Sequence, residues 1–153
     1  MIKKIIYIPF IFVFIFLAVT LLLPFFGIKY YVVGSDSMAP ALKTNDLVYD
    51  NTGNKNIKVG SIVAVNTGDI PLLHRVIAFN NDCFTTQGDA NQTPDPVWSY
   101  QNLAGVAVFH IPYIGFLFRN QYLPLIALSL YLLYLIGKRL YKELLKGKGK
   151  GMA

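Results

Sequence analysis

The residue types that activate a serine nucleophile occur together in the middle of this chain. Ser37 lies in the run VGSDSMAP at residues 33–40, a His-Arg pair begins at His74, and an Asp-rich turn contains Asp89 and Asp95. A histidine can remove the proton of a serine hydroxyl, and a carboxylate on its second ring nitrogen orients it. These residue types predict an activated serine nucleophile at Ser37.

Ser37 also fits a purely structural explanation, because Ser35, Asp36 and Ser37 are typical helix N-cap and turn formers. The flanking residues favour chemistry: Gly34 permits unusual backbone angles, and Pro40 fixes the chain that follows. The backbone N–H of Ser37 and the hydroxyl of Ser35 are candidates to stabilise an oxyanion. The motif alone leaves both interpretations open.

His74 is the better of the two histidines for the base. Strand alternation places Leu72, His74 and Val76 on one face. A lone histidine on an apolar face is more often a hydrogen-bonded core residue, but imidazole is the side chain best suited to accept a serine proton near neutral pH. The other histidine, His110, lies close to the second apolar segment, so we expect His74 to serve Ser37.

Asp89 and Asp95 are the candidate acids, and both lie in the turn-rich stretch 87–96. Aspartates in Gly/Asn/Pro loops commonly form Asx turns, so we expect one of them to have that structural task. The sequence does not decide which one bonds to His74. Two isolated histidines and a single cysteine offer no metal-ligand cluster, so neither a metal nor a cofactor is expected.

Composition indicates a membrane protein, with 54% hydrophobic and only 14% charged residues. Residues 5–26 carry no charge and are long enough to cross a hydrocarbon core of roughly 30 Å. Residues 121–137 form a second, shorter span. The first apolar stretch exceeds the usual signal-peptide core and is not closely followed by a small-x-small site, so we expect an uncleaved anchor.

Basic residues cluster outside the two spans, whereas residues 28–120 hold six basic and seven acidic residues. The positive-inside rule then predicts a cytoplasmic N-terminus over 1–4, an extracytoplasmic domain over 27–120 and a basic cytoplasmic tail over 138–153. The net charge of +6 belongs mainly to these termini. We therefore expect contact with a lipid bilayer and no nucleic-acid binding.

The segment between the spans predicts a small all-β domain. Runs rich in Val, Ile, Phe and Tyr alternate with Asn/Gly/Asp turns, and no helical pattern of useful length occurs. The turn at 80–82 predicts a hairpin, and Cys83, the only cysteine, is expected as a small core residue. The predicted strands are Lys29–Val33, Asp46–Tyr49, Ser61–Asn66, Leu72–Phe79, Cys83–Gln87 and Ala104–His110.

The fold class is therefore mainly β, with a β-rich catalytic domain flanked by N- and C-terminal transmembrane helices. Residues 109–118 are apolar but interrupted by Pro and Gly. Two interpretations remain for them: a surface element with aromatic residues at the lipid headgroups, or an ordinary final core strand.

Four short motifs, in order over residues 32–115, resemble those of type I signal peptidases. SDSMAP at 35–40 is similar to the family's nucleophile box, and His74-Arg75-Val76 occupies the place of the bacterial Lys-Arg. GDAN at 88–91 with its trailing Asp95, and IPYIG at 111–115, resemble the remaining motifs. The histidine resembles the archaeal and endoplasmic-reticulum branch, as well as some sporulation-type members.

The resemblance implies a membrane serine endopeptidase that removes signal peptides from secretory precursors. It implies Ser37 as nucleophile, His74 as general base, Asp95 as orienting acid and Asp89 as a supporting or loop-shaping residue. The location would be the cell membrane or the endoplasmic reticulum membrane, and the sequence does not identify partner subunits. Two alternatives remain: a membrane protease with a narrow set of precursors, or an inactive two-span scaffold.

Overall fold

The polypeptide from Val19 to Arg119 folds around one antiparallel β sheet and forms one of two units in the chain. The other unit is helical and comprises the described parts of Met1–Ala18 and Asn120–Ala153. The computed structural model describes residues 7–120 and 122–150. The predicted N-terminal segment 1–4 and the start of the first predicted span lie outside these residues.

The sheet has seven strands in the spatial order β1-β2-β7-β3-β4-β5-β6, and every neighbouring pair is antiparallel. The last strand in sequence, β7, thus lies inside the sheet, between the second and the third. The strands are β1 Ile28–Val32, β2 Leu47–Asn51, β3 Ile62–Val65, β4 Leu72–Phe79, β5 Cys83–Gln87, β6 Val97–Ser99 and β7 Leu103–Ile111.

The predicted β-rich domain is confirmed, and so is the hairpin that joins β4 to β5. The sequence did not predict β6, because its three residues follow Pro96 and are too short to show a period of two. Between Ile28 and Leu117, the described helical elements are short 3₁₀ turns only.

Apolar residues pack on both faces of the sheet. One cluster contains Ile57, Val63, Val65, Val76, Phe84 and Leu103. The other joins the nucleophile loop to the sheet and contains Val33, Met38, Leu42 and Val48. Each buried aliphatic side chain contributes about 1.5–3 kcal/mol relative to an exposed one, so both clusters anchor the loops attached to them.

Cys83 is half-buried rather than a core residue, and its thiol contacts the side chain of Asn80. The expectation of a core cysteine was wrong, because alternation turns Phe84 and not Cys83 to the buried face. The segment 109–118 is not the ordinary core strand of the second interpretation, because Phe109 and His110 are exposed. Its first residues complete β7, and Tyr113 and Phe116 are exposed as well. A position at the lipid headgroups stays a prediction.

Two apolar helices flank the sheet in sequence. Helix α1 spans Tyr7–Leu22 and continues as a 3₁₀ turn that ends at Gly27 with a left-handed φ of 77°. Helix α2 spans Tyr122–Lys150, and its segment Tyr122–Glu143 is the one described helix long and apolar enough to cross a membrane. The N-terminal apolar stretch Ile11–Phe26 is shorter, so its role as a second membrane helix stays a prediction.

Candidate active site

Ser37 lies in the loop that follows β1 and connects it to β2. The next residue, Met38, is buried in the apolar cluster with Val48 and pins the loop from one side. The carboxylate of Asp36 accepts hydrogen bonds of 2.8 Å from both the backbone N–H and the hydroxyl of Thr44. These donors lower the pKa of Asp36, and the backbone N–H has the largest effect. The residues on both sides of Ser37, Asp36 and Met38, are therefore held in place.

His74 comes from the middle of the sheet, on β4, and only 3% of its surface is exposed. Its ring nitrogen Nε2 lies 3.1 Å from Ser37 Oγ. Alternation places His74 on the same face as buried Val76, as the sequence predicts. Strand packing thus fixes where the ring points.

Asp95 is the carboxylate next to the histidine. Its Oδ2 atom lies 2.6 Å from His74 Nδ1. The backbone N–H of Asp95 also donates to the carbonyl of Thr86, at 2.8 Å. The structure therefore brings Ser37, His74 and Asp95 into one hydrogen-bonded chain.

Asp89 faces a different partner. Arg75 donates to both of its carboxylate oxygens, from Nε at 2.8 Å and from Nη2 at 2.6 Å. The same guanidinium donates to the carbonyl of Gly60. Through Arg75, which is next to His74 on β4, Asp89 therefore links its loop to β4 and to the turn before β3.

Gly88 allows this loop to close over the site. A Cβ atom there would lie 2.6 Å from the carbonyl oxygen of Ser37 and 2.9 Å from His74 Nε2. Just beyond it, the N–H of Ala90 donates to the same carbonyl at 2.9 Å. Only glycine permits this approach of the two backbones.

Ser35, the oxyanion candidate, is exposed beside the nucleophile. Its hydroxyl lies 3.3 Å from Ser37 Oγ, longer than the usual O–H···O limit of about 3.0 Å. The two hydroxyls are thus close enough to face one reacting atom.

Sequence analysis missed two residues of this site, Thr86 and Trp98. The hydroxyl of Thr86 donates to Asp95 Oδ2 at 2.7 Å, and the indole Nε1 of Trp98 donates to that hydroxyl at 3.0 Å. Neither residue lies in a recognisable motif. The only available signal is that Trp98 is the single tryptophan in a polar, turn-rich stretch.

No cluster of three or more His, Cys, Asp or Glu side chains able to hold a metal ion occurs among the described residues. The site instead has a linear order of donors and acceptors: hydroxyl, imidazole, carboxylate. That order matches the Ser-His-Asp form of nucleophilic serine chemistry.

The chain belongs to the family described as signal peptidase, peptidase S26, whose family model matches residues 4–90. Members are membrane-associated, and membership makes the chain a hydrolase of the serine peptidase class. The matched region includes Ser37, His74 and Asp89 but ends before Asp95. Among curated proteins, none matches the chain.

Proposed function

We propose that this protein is a membrane-bound signal peptidase that removes N-terminal signal peptides from secretory precursors. Ser37 is the nucleophile, His74 the general base and Asp95 the orienting acid. The observation that carries the proposal is the position of the His74 ring, which lies 3.1 Å from Ser37 Oγ and 2.6 Å from Asp95 Oδ2. Family membership supplies the serine peptidase class.

The reaction has two steps. Ser37 Oγ attacks the carbonyl carbon of the scissile bond while His74 Nε2 accepts its proton. The imidazolium then gives this proton to the leaving amine, which becomes the N-terminus of the mature protein, and the signal peptide remains as an ester on Ser37. Water, activated by His74, hydrolyses the ester.

The negative charge on the attacked carbonyl oxygen needs donors. The backbone N–H of Ser37 and the exposed hydroxyl of Ser35, which lies 3.3 Å from Ser37 Oγ, are the candidates. One such donor is worth about 10²–10³ in kcat. Ser35→Ala should therefore lower kcat by about that factor, and an unchanged kcat would remove Ser35 from the oxyanion site.

The signal peptide binds as an extended strand beside Ser37. Support comes from the pairing of β4, whose residues 72–74 pair with β3 only, since β5 first pairs at Arg75. The backbone edge left open by β5 therefore includes His74. A strand added at this edge brings its scissile bond to Ser37.

Histidine at position 74 favours the archaeal and endoplasmic-reticulum branch over the bacterial Ser-Lys one. The apolar span Tyr122–Glu143 supports a membrane location, either the cell membrane or the endoplasmic reticulum membrane. The charge pattern favours a multi-pass topology with both termini cytoplasmic and the sheet outside. Such a site meets the scissile bond where the precursor leaves the bilayer.

The test is cleavage of several unrelated precursors by the full chain in lipid vesicles, with the new N-termini sequenced. The proposal predicts cleavage of all of them by the wild-type protein and by Ser61→Ala, and none by Ser37→Ala. Cleavage of a single precursor type would favour a protease of narrow range. The absence of any cleavage, together with no labelling of Ser37 by a serine-directed probe, would favour an inactive scaffold.

A further inference from the structure

Thr86 and Trp98 extend the hydrogen-bonded chain beyond the three proposed catalytic residues. Thr86 is fully buried on β5, and its hydroxyl lies 2.7 Å from Asp95 Oδ2, the oxygen that also faces His74. The indole nitrogen of Trp98 lies 3.0 Å from the same hydroxyl. Asp95 Oδ2 therefore has two close partners, His74 Nδ1 and the Thr86 hydroxyl. The Thr86 hydroxyl in turn contacts the Trp98 indole.

The donor chemistry fixes where the protons lie. An indole N–H can only donate, so the Thr86 oxygen accepts from Trp98. The buried Thr86 hydroxyl then donates its own proton to Asp95 Oδ2. His74 Nδ1–H donates to the same oxygen. This leaves Nε2 with its lone pair directed at the hydroxyl of Ser37.

The strands explain how this geometry is built. Phe84 on β5 pairs directly with Trp98 on β6, so the indole reaches its diagonal neighbour Thr86 on the same face. The loop between β5 and β6 contains Asp95, whose backbone N–H bonds to the Thr86 carbonyl. Asp95 is thus attached to Thr86 through both its backbone and its side chain.

We propose that Thr86 and Trp98 are positioning residues of the active site: they hold the Asp95 carboxylate oriented so that His74 presents its unprotonated Nε2 to Ser37. The inference rests on the catalytic roles proposed above. Neither residue hydrogen-bonds to Ser37 or His74, so both act through Asp95. Both therefore act on the rate of the chemical step and not on substrate binding.

The decisive variant is Thr86→Val, which keeps the side-chain shape and removes the hydroxyl. A hydrogen bond to a charged group is lost, so kcat for precursor cleavage and the rate of covalent labelling of Ser37 by a fluorophosphonate should fall about 10- to 100-fold, with KM unchanged. Thr86→Ser restores the hydroxyl and should stay within about threefold of wild type. The matched control, Thr85→Val on the same strand, should show no loss.

Trp98→Phe provides a second variant that keeps the ring packing and Thr86 itself. It removes one neutral donor, so the same rates should fall about 3- to 10-fold. A wild-type labelling rate in Thr86→Val, or an equal loss in Thr86→Ser, would overturn the inference. A loss confined to KM would overturn it as well.

A readout without turnover separates this inference from the proposed function. In the full chain labelled with ¹⁵N-histidine, the Nδ1 proton of His74 bonded to a carboxylate should give a far-downfield NMR resonance. Thr86→Val should shift or broaden it, whereas Thr85→Val should not. If wild type cleaves no precursor but this difference holds, the proposed function fails and the positioning role stands. An unchanged resonance in Thr86→Val would contradict the positioning role.

Discussion

At the scale of single residues, Asp89 and Asp95 differ in the partner that holds each of them. Arg75 donates to both oxygens of Asp89, a bidentate geometry that uses the whole carboxylate. Asp95 instead lies against the His74 ring. Two acids of one loop thereby have separate contacts, one with the Arg75 guanidinium and one with the His74 ring.

The two acids should therefore respond differently to removal of their charge. Asp95→Asn keeps the shape but removes the negative charge and replaces one acceptor oxygen with an NH2 donor, so kcat should fall about 10³- to 10⁴-fold. Asp89→Asn weakens an ion pair with a partly exposed arginine, and kcat should fall about fivefold or less. Steady-state cleavage of a precursor peptide measures both, and a larger loss in Asp89→Asn would contradict this assignment.

Gly88 gives a second prediction at this scale. In Gly88→Ala the new methyl group would meet the Ser37 carbonyl and His74 Nε2, so the site must open. Labelling of Ser37 should fall by more than about tenfold, because a displacement of about 1 Å can cost 10²-fold. Gly53→Ala, whose Cβ meets only an ordinary contact at 3.4 Å, is the control. Full labelling of Gly88→Ala would show that the loop gives way freely.

Part of the site could be predicted from residue types alone. Ser37 and His74 were recognisable because their flanking residues and the strand alternation carry local signals. The choice between Asp89 and Asp95 was not local, since both lie in one Asx-rich loop and their distance from His74 depends on how β5 and β6 pair. Thr86 had no signal at all, because its role arises only from the folded contacts.

At the scale of elements, β2 contains a buried carboxyl group, that of Asp50. Asp50 has no exposed surface, and neither carboxylate oxygen has a hydrogen-bond partner. Burial raises its pKa from 3.8 to about 7. Asp50 pairs with the exposed Lys29 on β1 and with Ala107 on β7. Burial and the nearby Asp50 raise the pKa of Tyr31, which also lies on β1.

The stability of the sheet should therefore depend on pH through this residue. Between about pH 4 and pH 7 the folded state keeps a proton that the unfolded state has released, so the free energy of unfolding falls as pH rises, by at most about 1.4 kcal/mol per unit. Asp50→Asn removes this contribution. Thermal unfolding of both proteins at pH 5 and pH 8 measures it, and an identical pH dependence would contradict the prediction.

The predictability of each element follows from its length and pattern. The β4 and β5 strands were both predicted with their observed bounds, because turn-forming residues at 67–69, 80–82 and 88–91 delimit them. The short β6 strand depends on the contacts of Trp98, which no local rule contains. Helix α2 runs on to Lys150, past the predicted end of the span at 137, because Leu, Lys and Glu there favour helix while the apolar character fades.

At the scale of the whole molecule, the charge distribution sets the expected topology. The sheet unit is nearly neutral, and the basic residues flank the apolar segments. In single-cysteine proteins made in a Cys83→Ser background, Asn81→Cys should react with an impermeant reagent in intact cells. Lys146→Cys should react only after permeabilisation. The opposite pattern would place the active site on the cytoplasmic side and contradict the proposed substrate.

The most direct test of the central claim, that His74 activates Ser37 to cleave signal peptides, is the rate of precursor cleavage in vesicles for a matched set of variants. Wild type and His110→Ala, which alters the exposed histidine of β7, should cleave at similar rates. Ser37→Ala and His74→Ala should lose cleavage. His74→Lys should not restore it, because lysine has a single nitrogen and no second one for Asp95 to orient. Cleavage by Ser37→Ala or His74→Ala at the wild-type rate would contradict the account.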